Sequence, residues 1–400
     1  MVIMSLSTLI KNQNICEICE KKQLNSFFQI PSLPTLTINN FKYTKSSKSS
    51  NKKFKVRYCS HCKVVILDKK IKFNKLYKNF INKQPQNNFI KSEIKKKLNQ
   101  LNQLNQLKKI NIFNIGKNSD FIKKKDNKNI NYLKFDPTIT KEDSINKKFH
   151  SLPKLVNKYR NKVDLIILDN FISNIIDINK TLLILKSLLS KNGKILIYTN
   201  YSFFNILRND INCFYHEHVH YFSLKSLLIL FKKNGLYLGK FKFLEEGAFM
   251  YLIFEKKQNF INKNLRDKLN QEESCDKNFY LNFKKNLKKN STKIKNILKE
   301  NYVLYGYGCS IGAITSIIKY NLEERISMLI DDNPIINNIY LNKKKISIVK
   351  INDVKFENKR KIIVCLIPRH YKNILPKIKK YMKKNDILVN LVEDFSVQKF

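Results

Sequence analysis

Three of the six histidines fall within five residues, in the stretch Tyr215-His216-Glu217-His218-Val219-His220. Imidazole titrates near neutrality, so this run concentrates capacity for proton transfer and for metal ligation. His216-Glu217-x-x-His220 also matches the H-E-x-x-H pattern of zinc proteases, which needs both histidines on one helical face with the Glu as base. Helix signals begin only after the run, where Ser223 is a good N-cap for LKSLLILFKK and Gly235 a stop. The preceding DINCFY has no helical period either. In extended backbone His216, His218 and His220 would share one side and Glu217 the other, which breaks the protease arrangement. A three-histidine metal site, a plain polar loop and acid–base chemistry remain, and Tyr215 beside the cluster favours the last.

A second group of chemistry-bearing residues lies near the start. Cys16-x-x-Cys19 and Cys59-x-x-Cys62 are two knuckles separated by 39 residues, each able to aim two thiolates at one tetrahedral Zn2+. The gap exceeds the ~15–20 residues of a compact ribbon, so an insertion is needed, with the polar SSKSSNKK at 46–53 as its exposed tip. Four thiolates leave no open position, so such a zinc would be structural. The third group is Gly306-Tyr307-Gly308-Cys309-Ser310-Ile311-Gly312, which holds three of the eight glycines, and Asp331 and Asp332 close the next strand. The spacing is one residue longer than the dinucleotide fingerprint. It reads either as a nucleotide-binding turn or as a tight strand-to-helix turn with no ligand.

The elements that must position these groups can be read from periodicity. KINIFNIG (109–116), NYLKFDP (131–137), VDLIILDN (163–170) and KILIYTN (194–200) read as strands, and an amphipathic helix runs through Leu189. Residues 76–109 read as a polar helix. Alternation of strands and helices implies a doubly wound parallel α/β sheet. LYLGKFKFL and FMYLIFEKK then read as two antiparallel strands. The connector 256–298 reads as helical. From 301 a second α/β unit begins: NYVLYGYG, a helix, RISMLIDDNP, another helix, then KIIVCLIP.

Four hundred residues suffice for two or three such domains. No apolar run reaches the ~18 residues of a membrane span, and no basic region precedes an apolar core at the start, so a cytoplasmic setting with reduced thiols is expected. The formal charge is +46, but seven of the 77 basic residues are Arg. Lys lacks the bidentate fork of groove readers. With two Ala and no Trp, the composition matches an A/T-rich codon bias, and Lys is spread over every segment. A zinc-knuckled RNA binder would rest on charge alone, because interleaved aromatic stacking motifs are missing. No specific nucleic-acid or membrane partner is expected.

FYHEHVHYFSLKSLLILFKKNGL resembles the signature block of the sugar C-methyltransferases, S-adenosylmethionine-dependent enzymes acting on nucleotide-linked keto-deoxysugars. The likeness spans nearly the whole chain. The cysteine pairs match that family's zinc module, and FDPT (135–138), VDLIILDN and KNGKILIYTNY (191–201) fall on its methyltransferase core. YGYGCSIG, LIDDNP and IPRH match its C-terminal Rossmann-like domain. The resemblance implies a zinc-binding module at 1–75 and a class I methyltransferase core at 76–255. A helical connector at 256–298 and a C-terminal domain at 299–400 complete the chain. It further implies carbon methylation through an enolate, with His218 as base, Tyr215 steadying the keto oxygen and Glu217 orienting the sugar. A near-neutral imidazole suits removal of a proton acidified by a carbonyl, and a phenol suits the developing oxyanion. S-adenosylmethionine would lie along Gly116, Asp136, Asp169 and Asn170. The sugar nucleotide would meet Tyr201, His216, Gly306, Gly308, Gly312 and Asp332, and zinc would sit on Cys16, Cys19, Cys59 and Cys62.

Two departures stand out. The family's glycine-rich first turn, of the form E-x-G-x-N-D-G, is replaced by Asn114-Ile115-Gly116-Lys117-Asn118-Ser119-Asp120. Two acids are lost and a Lys lies beside a cofactor that is already cationic, so weaker cofactor binding is expected. The family's His after the fourth strand is Asn174. A non-catalytic descendant that binds a sugar nucleotide or a protein partner is the alternative, resting on that altered turn.

Overall fold

In the computed structural model the residues described are 14–31, 41–43, 53–71, 91–96, 99, 109–116, 129–136, 145–257, 263–299, 301–334, 336–367, 370–391 and 395–400. Most of the helix expected at 76–109, residues 117–120 of the first turn and the tip at 46–52 fall outside this set.

The N-terminal module contributes β1 (Leu24–Pro31), β2 (Phe41–Tyr43), β3 (Lys53–Cys59) and β4 (Val65–Leu67). In β3 the buried Phe54, Val56 and Tyr58 alternate with Lys53, Lys55 and Arg57, so period two puts the aromatic edge on the core and the charges outside. β1, β3 and β4 pair antiparallel.

The central unit runs β5 (Ile110–Gly116), β6 (Ile130–Asp136), β7 (Asn146–Lys148), β8 (Val163–Asp169), α1 (Ile178–Leu188) and β9 (Leu189–Asn200). It continues with β10 (His220–Tyr221), α2 (Leu224–Lys233), β11 (Tyr237–Leu244) and β12 (Phe249–Glu255). Its sheet order is β7-β6-β5-β8-β9-β12-β11. The first five strands are parallel, while β12 runs antiparallel to both of its neighbours. Counted within the unit this is 3-2-1-4-5-7-6 with an antiparallel seventh strand, the order of a class I methyltransferase core. Both faces of β5 are covered, so Ile112, Phe113 and Ile115 are fully buried, and the equally buried Asn114 donates its side-chain amide to Tyr132 Oη at 2.8 Å. α1 is capped by Asp177 and buries Ile178, Leu182, Leu185 and Leu188, one stripe at helical spacing.

Two helices lead onward, α3 (Lys263–Glu273) and α4 (Lys277–Ile297). α4 is capped by Asp276 and buries Tyr280, Phe283, Leu287 and Ile294. These side chains join one core that also holds Phe27 and Tyr58 of the N-terminal module and Ile314 and Ile317 of the C-terminal unit. Tyr280 stacks on Tyr58 at 3.8 Å between centroids, a contact worth about 0.5–1.5 kcal/mol beyond its buried area.

The C-terminal unit comprises β13 (Val303–Tyr307), α5 (Ile311–Lys319), β14 (Ile326–Ile330), β15 (Asn338–Leu341), β16 (Lys344–Val349), β17 (Lys361–Cys365), α6 (Tyr371–Lys379), β18 (Ile387–Asn390) and β19 (Val397–Lys399). Its sheet order is β19-β18-β17-β13-β14-β16-β15-β2, with β13, β14, β16, β17 and β18 parallel. The helix expected after Asp332 is replaced by the β15–β16 hairpin. Ile339 and Leu341 alternate with polar neighbours, as do Ile346 and Ile348, and Asn342 and Lys343 both adopt positive φ (49° and 70°). That is the backbone a two-residue hairpin turn of type I′ requires, so turn chemistry and period two prevail over the lysine-rich helical look.

Two strands cross between units. β2, from the insertion between the knuckles, pairs parallel with β15 of the C-terminal sheet. β10, from the histidine-rich stretch, pairs antiparallel with β4, giving the N-terminal sheet the order β1-β3-β4-β10.

Candidate functional site

The four knuckle cysteines converge. Their Sγ atoms all lie within 4.8 Å of one another, with Cys16–Cys62 at 3.6 Å and Cys19–Cys59 at 3.5 Å. Zn–S bonds of about 2.3 Å in a regular tetrahedron put the sulfurs about 3.8 Å apart, so the set fits a zinc ion. Each knuckle closes through a residue with left-handed backbone just after its second cysteine, Glu20 (φ 62°) and Lys63 (φ 63°). The amide of Glu20 returns to the Cys16 carbonyl at 2.7 Å, and that of Lys63 to the Cys59 carbonyl at 2.9 Å. These local bonds explain why C-x-x-C spacing suffices to aim both thiols inward.

The histidine stretch is a turn rather than an extended segment. The His218 amide donates to the Tyr215 carbonyl at 3.1 Å, and regular pairing begins only at His220. The expected alternation is therefore corrected, and the three imidazoles go to three places. His218 Nε2 meets the Tyr215 hydroxyl at 2.9 Å. His220 Nε2 meets Glu17 Oε1 at 2.8 Å. His216 is buried with its ring stacked over Phe54 of β3, 6.5 Å between centroids. Among the described residues the four cysteines form the one cluster able to hold a metal, so neither a zinc-protease nor a three-histidine site is built here.

The turn is pinned from several sides. Tyr221 Oη accepts from the Tyr215 amide at 3.0 Å and donates to the Tyr215 carbonyl at 2.8 Å. Burial pushes the Tyr221 phenol well up, so it stays a neutral donor. Asn174 Nδ2 donates to the Glu217 carbonyl at 3.1 Å, and the Val219 amide to the Ser173 carbonyl at 2.8 Å. Asn174 is thus a structural partner of the turn, a role its sequence position alone did not reveal. Glu17 carries no local sequence signal either. Burial disfavours its charge, but His220 and Lys70 outweigh that and hold the carboxyl down at about 2. No spacing rule links residues 17 and 220.

The residues expected at S-adenosylmethionine lie on neighbouring strand ends. Gly116 ends β5 in register with Asp169 at the end of β8, and Asp136 ends β6, buried, beside Lys148. A Cβ on Gly116 would stand 2.6 Å from the Asp169 carbonyl oxygen, so glycine is needed for the strands to close. Asn170 turns the chain with φ 45°. A buried acid one strand from a glycine-terminated strand fits the ribose end of such a cofactor.

Other expected residues have protein partners. Tyr201 is buried against Phe243 and Phe203, and burial followed by the Glu272 carboxylate pushes its phenol up. Glu272 in turn accepts from the Leu224 and Lys225 amides, both at 2.7 Å, and so caps α2. In the C-terminal unit the Cys309 amide donates to Asp331 Oδ2 at 2.9 Å and the Gly308 amide to the Ile330 carbonyl at 2.7 Å. Asp332 receives Tyr307 Oη and Lys377 Nζ, each at 2.5 Å. A Cβ on Gly306 would meet Leu366 and Leu329, one on Gly308 would meet Ile367, and one on Gly312 would overlap the Asn212 carbonyl.

Strand order thus defines the central unit as a class I methyltransferase fold. No family model matches the chain, and no curated protein matches it. Among solved structures, the CurJ carbon methyltransferase is 11% identical at TM-score 0.32, over 42% of this chain and 54% of its own. A SAM-dependent methyltransferase from Aquifex aeolicus is 15% identical at TM-score 0.27, over 41% and 97%. A putative Zn-dependent alcohol dehydrogenase from Rhodobacter sphaeroides is 12% identical at TM-score 0.30, over 40% and 89%. Superpositions this loose carry no weight for function, and the fold assignment rests on the topology.

Proposed function

We propose that the protein is an S-adenosylmethionine-dependent C-methyltransferase acting on the carbon beside the keto group of a nucleotide-linked deoxysugar. The observation that carries this reading is the direct 2.9 Å contact between Tyr215 Oη and His218 Nε2, a phenol and an imidazole paired in one pinned turn. S-adenosylmethionine, when bound, supplies an electrophilic methyl group. The chain's own part is proton management. His218 takes the proton from the carbon beside the carbonyl, the C–H electron pair moves toward the keto oxygen, and the Tyr215 hydroxyl donates to that oxygen. In the free protein the same hydroxyl and imidazole satisfy each other, so neither is left as a bare buried polar group. Gly116, Asp136, Asp169 and Asn170 would hold the cofactor, and the four cysteines would hold a structural zinc.

A second reading, a non-catalytic binder or scaffold, draws support from the C-terminal turn, whose Gly308 and Cys309 amides bond within the protein. His218→Asn separates the two. Removing a base costs about 10²–10⁴ in rate. The variant should lose both methyl transfer and solvent exchange of the substrate's α-proton while still binding S-adenosylmethionine by calorimetry. Parent-rate exchange in the variant would move the base elsewhere. Absence of cofactor binding to the parent chain would favour the scaffold.

A further inference from the structure

The four-cysteine centre and the histidine turn are one construction. Within the first knuckle, Glu17 lies between Cys16 and Cys19, and its carboxylate meets His220 Nε2. From the second knuckle, Cys62 leads directly into β4, which pairs His220 with Ile66 and Tyr221 with Val65. Ser223 Oγ donates to the Cys62 carbonyl at 3.2 Å, and the Leu67 amide donates to the Val219 carbonyl at 3.0 Å. Tyr221, held by β4, is the residue whose hydroxyl grips both main-chain groups of Tyr215. Both knuckles therefore reach the Tyr215–His218 pair, one through Glu17 and His220, the other through β4 and Tyr221.

We propose that the metal-closed knuckles position the Tyr215–His218 pair, with Glu17 and His220 as positioning residues that never touch substrate. The physical reason is the short span of regular pairing. β10 has two residues, too few to hold register alone, and the rigid turn beneath β4 supplies the missing constraint. Without metal, four adjacent thiols have no common partner, and the turns that carry Glu17 and β4 lose their anchor. The proposal rests on the reading of His218 and Tyr215 as the reacting pair.

Amide hydrogen exchange on the full chain, with and without removal of zinc by a chelator, tests it. Metal removal should abolish protection at the Tyr215, His218 and Val219 amides, while the Asn170 amide, bonded to the Tyr198 carbonyl, keeps its protection. Unchanged protection at those three amides in the metal-free chain overturns the proposal. Glu17→Ala should retain one zinc per chain and its S-adenosylmethionine affinity, yet lose protection at His218 and lower kcat by about tenfold, the low end of what losing a hydrogen bond that orients a functional side chain beside a metal site costs. Glu17→Gln, which keeps an acceptor for His220, should restore both. Loss of the zinc itself in Glu17→Ala would show a merely structural role and overturn the assignment. Exchange is read without substrate, so metal-dependent protection in a chain that transfers no methyl would refute the proposed chemistry and leave the coupling standing.

Discussion

The central and C-terminal units use one plan at their strand ends, and they use it differently. Each has a parallel sheet whose first strand leads into a glycine and whose second leads into acid: Gly116 and Asp136 as the last residues of β5 and β6, and Gly308 and Asp331-Asp332 just beyond β13 and β14. In the C-terminal unit those groups take partners from the unit itself. Asp331 takes the Cys309 amide, Asp332 sits between Tyr307 and Lys377, and Gly312 makes room for the backbone of Asn212. Asn212 adds a bond from its Nδ2 to the Leu366 carbonyl at 2.5 Å and accepts from Ser316. The stretch just before the histidine turn is thus docked at the β13–α5 turn. A glycine-rich turn between strand and helix is therefore ambiguous until the partners of its amides and the occupant of its open side are known.

Substitutions at three positions probe that contrast. Gly312→Val is expected to have the largest effect, because its Cβ would overlap main chain rather than a movable side chain. Overpacking of this kind costs about 1–3 kcal/mol, and more where backbone must shift. Thermal unfolding should show a clear fall in Tm, with S-adenosylmethionine affinity unchanged. Loss of sugar-nucleotide binding at an unchanged Tm would instead make Gly312 a ligand residue and dissolve the contrast.

Asp136→Ala comes next. A hydrogen bond to a charged group contributes about 1.5–3 kcal/mol, or roughly 10–100-fold in affinity. Calorimetry should show weakened cofactor binding by that factor, while Asp332→Ala should leave it unaltered. Equal losses in both variants would erase the distinction between the two units.

The smallest effect is expected at Asp332. Burial works against its charge, but Lys377 and Tyr307 hold the carboxyl below the usual carboxylate range. A depressed carboxyl contributes stability that is fully present above its unfolded value and lost as pH falls through its folded value. The pair is partly exposed, so Asp332→Asn should cost under about 1 kcal/mol at neutral pH. The variant should also show a shallower decline in stability on acidification. An identical acid profile in both proteins would show that Asp332 is not tied as drawn.

Much of the fold follows from local pattern. The apolar run Leu165–Leu168 of β8 marks a doubly covered strand, and the buried Ile112, Phe113 and Ile115 of β5 do the same despite Asn114 between them. Ser223 caps α2 because its side chain satisfies the Ser226 amide, and C-x-x-C aims two thiols by turn geometry alone. These are features of a few neighbouring residues, whose periods and spacings survive in any context. The β15–β16 hairpin is not legible in the sequence because lysine-rich segments suit either period, and the deciding turn, Asn342-Lys343, lacks the glycine that usually marks it.

For the site, sequence alone determined which residues could do the chemistry: an imidazole, a phenol and a carboxylate within four positions, two cysteine pairs, and acids at strand ends. The tertiary structure decided how those residues are shared out. It turned the histidine stretch through a bend, sent His216 to Phe54 and His220 to Glu17, and left His218 with Tyr215. It also brought Asn174 beneath Glu217 and β10 alongside β4. Contacts between residues 17 and 220, or 174 and 217, depend on how separate elements pack around common cores. No local period encodes that packing.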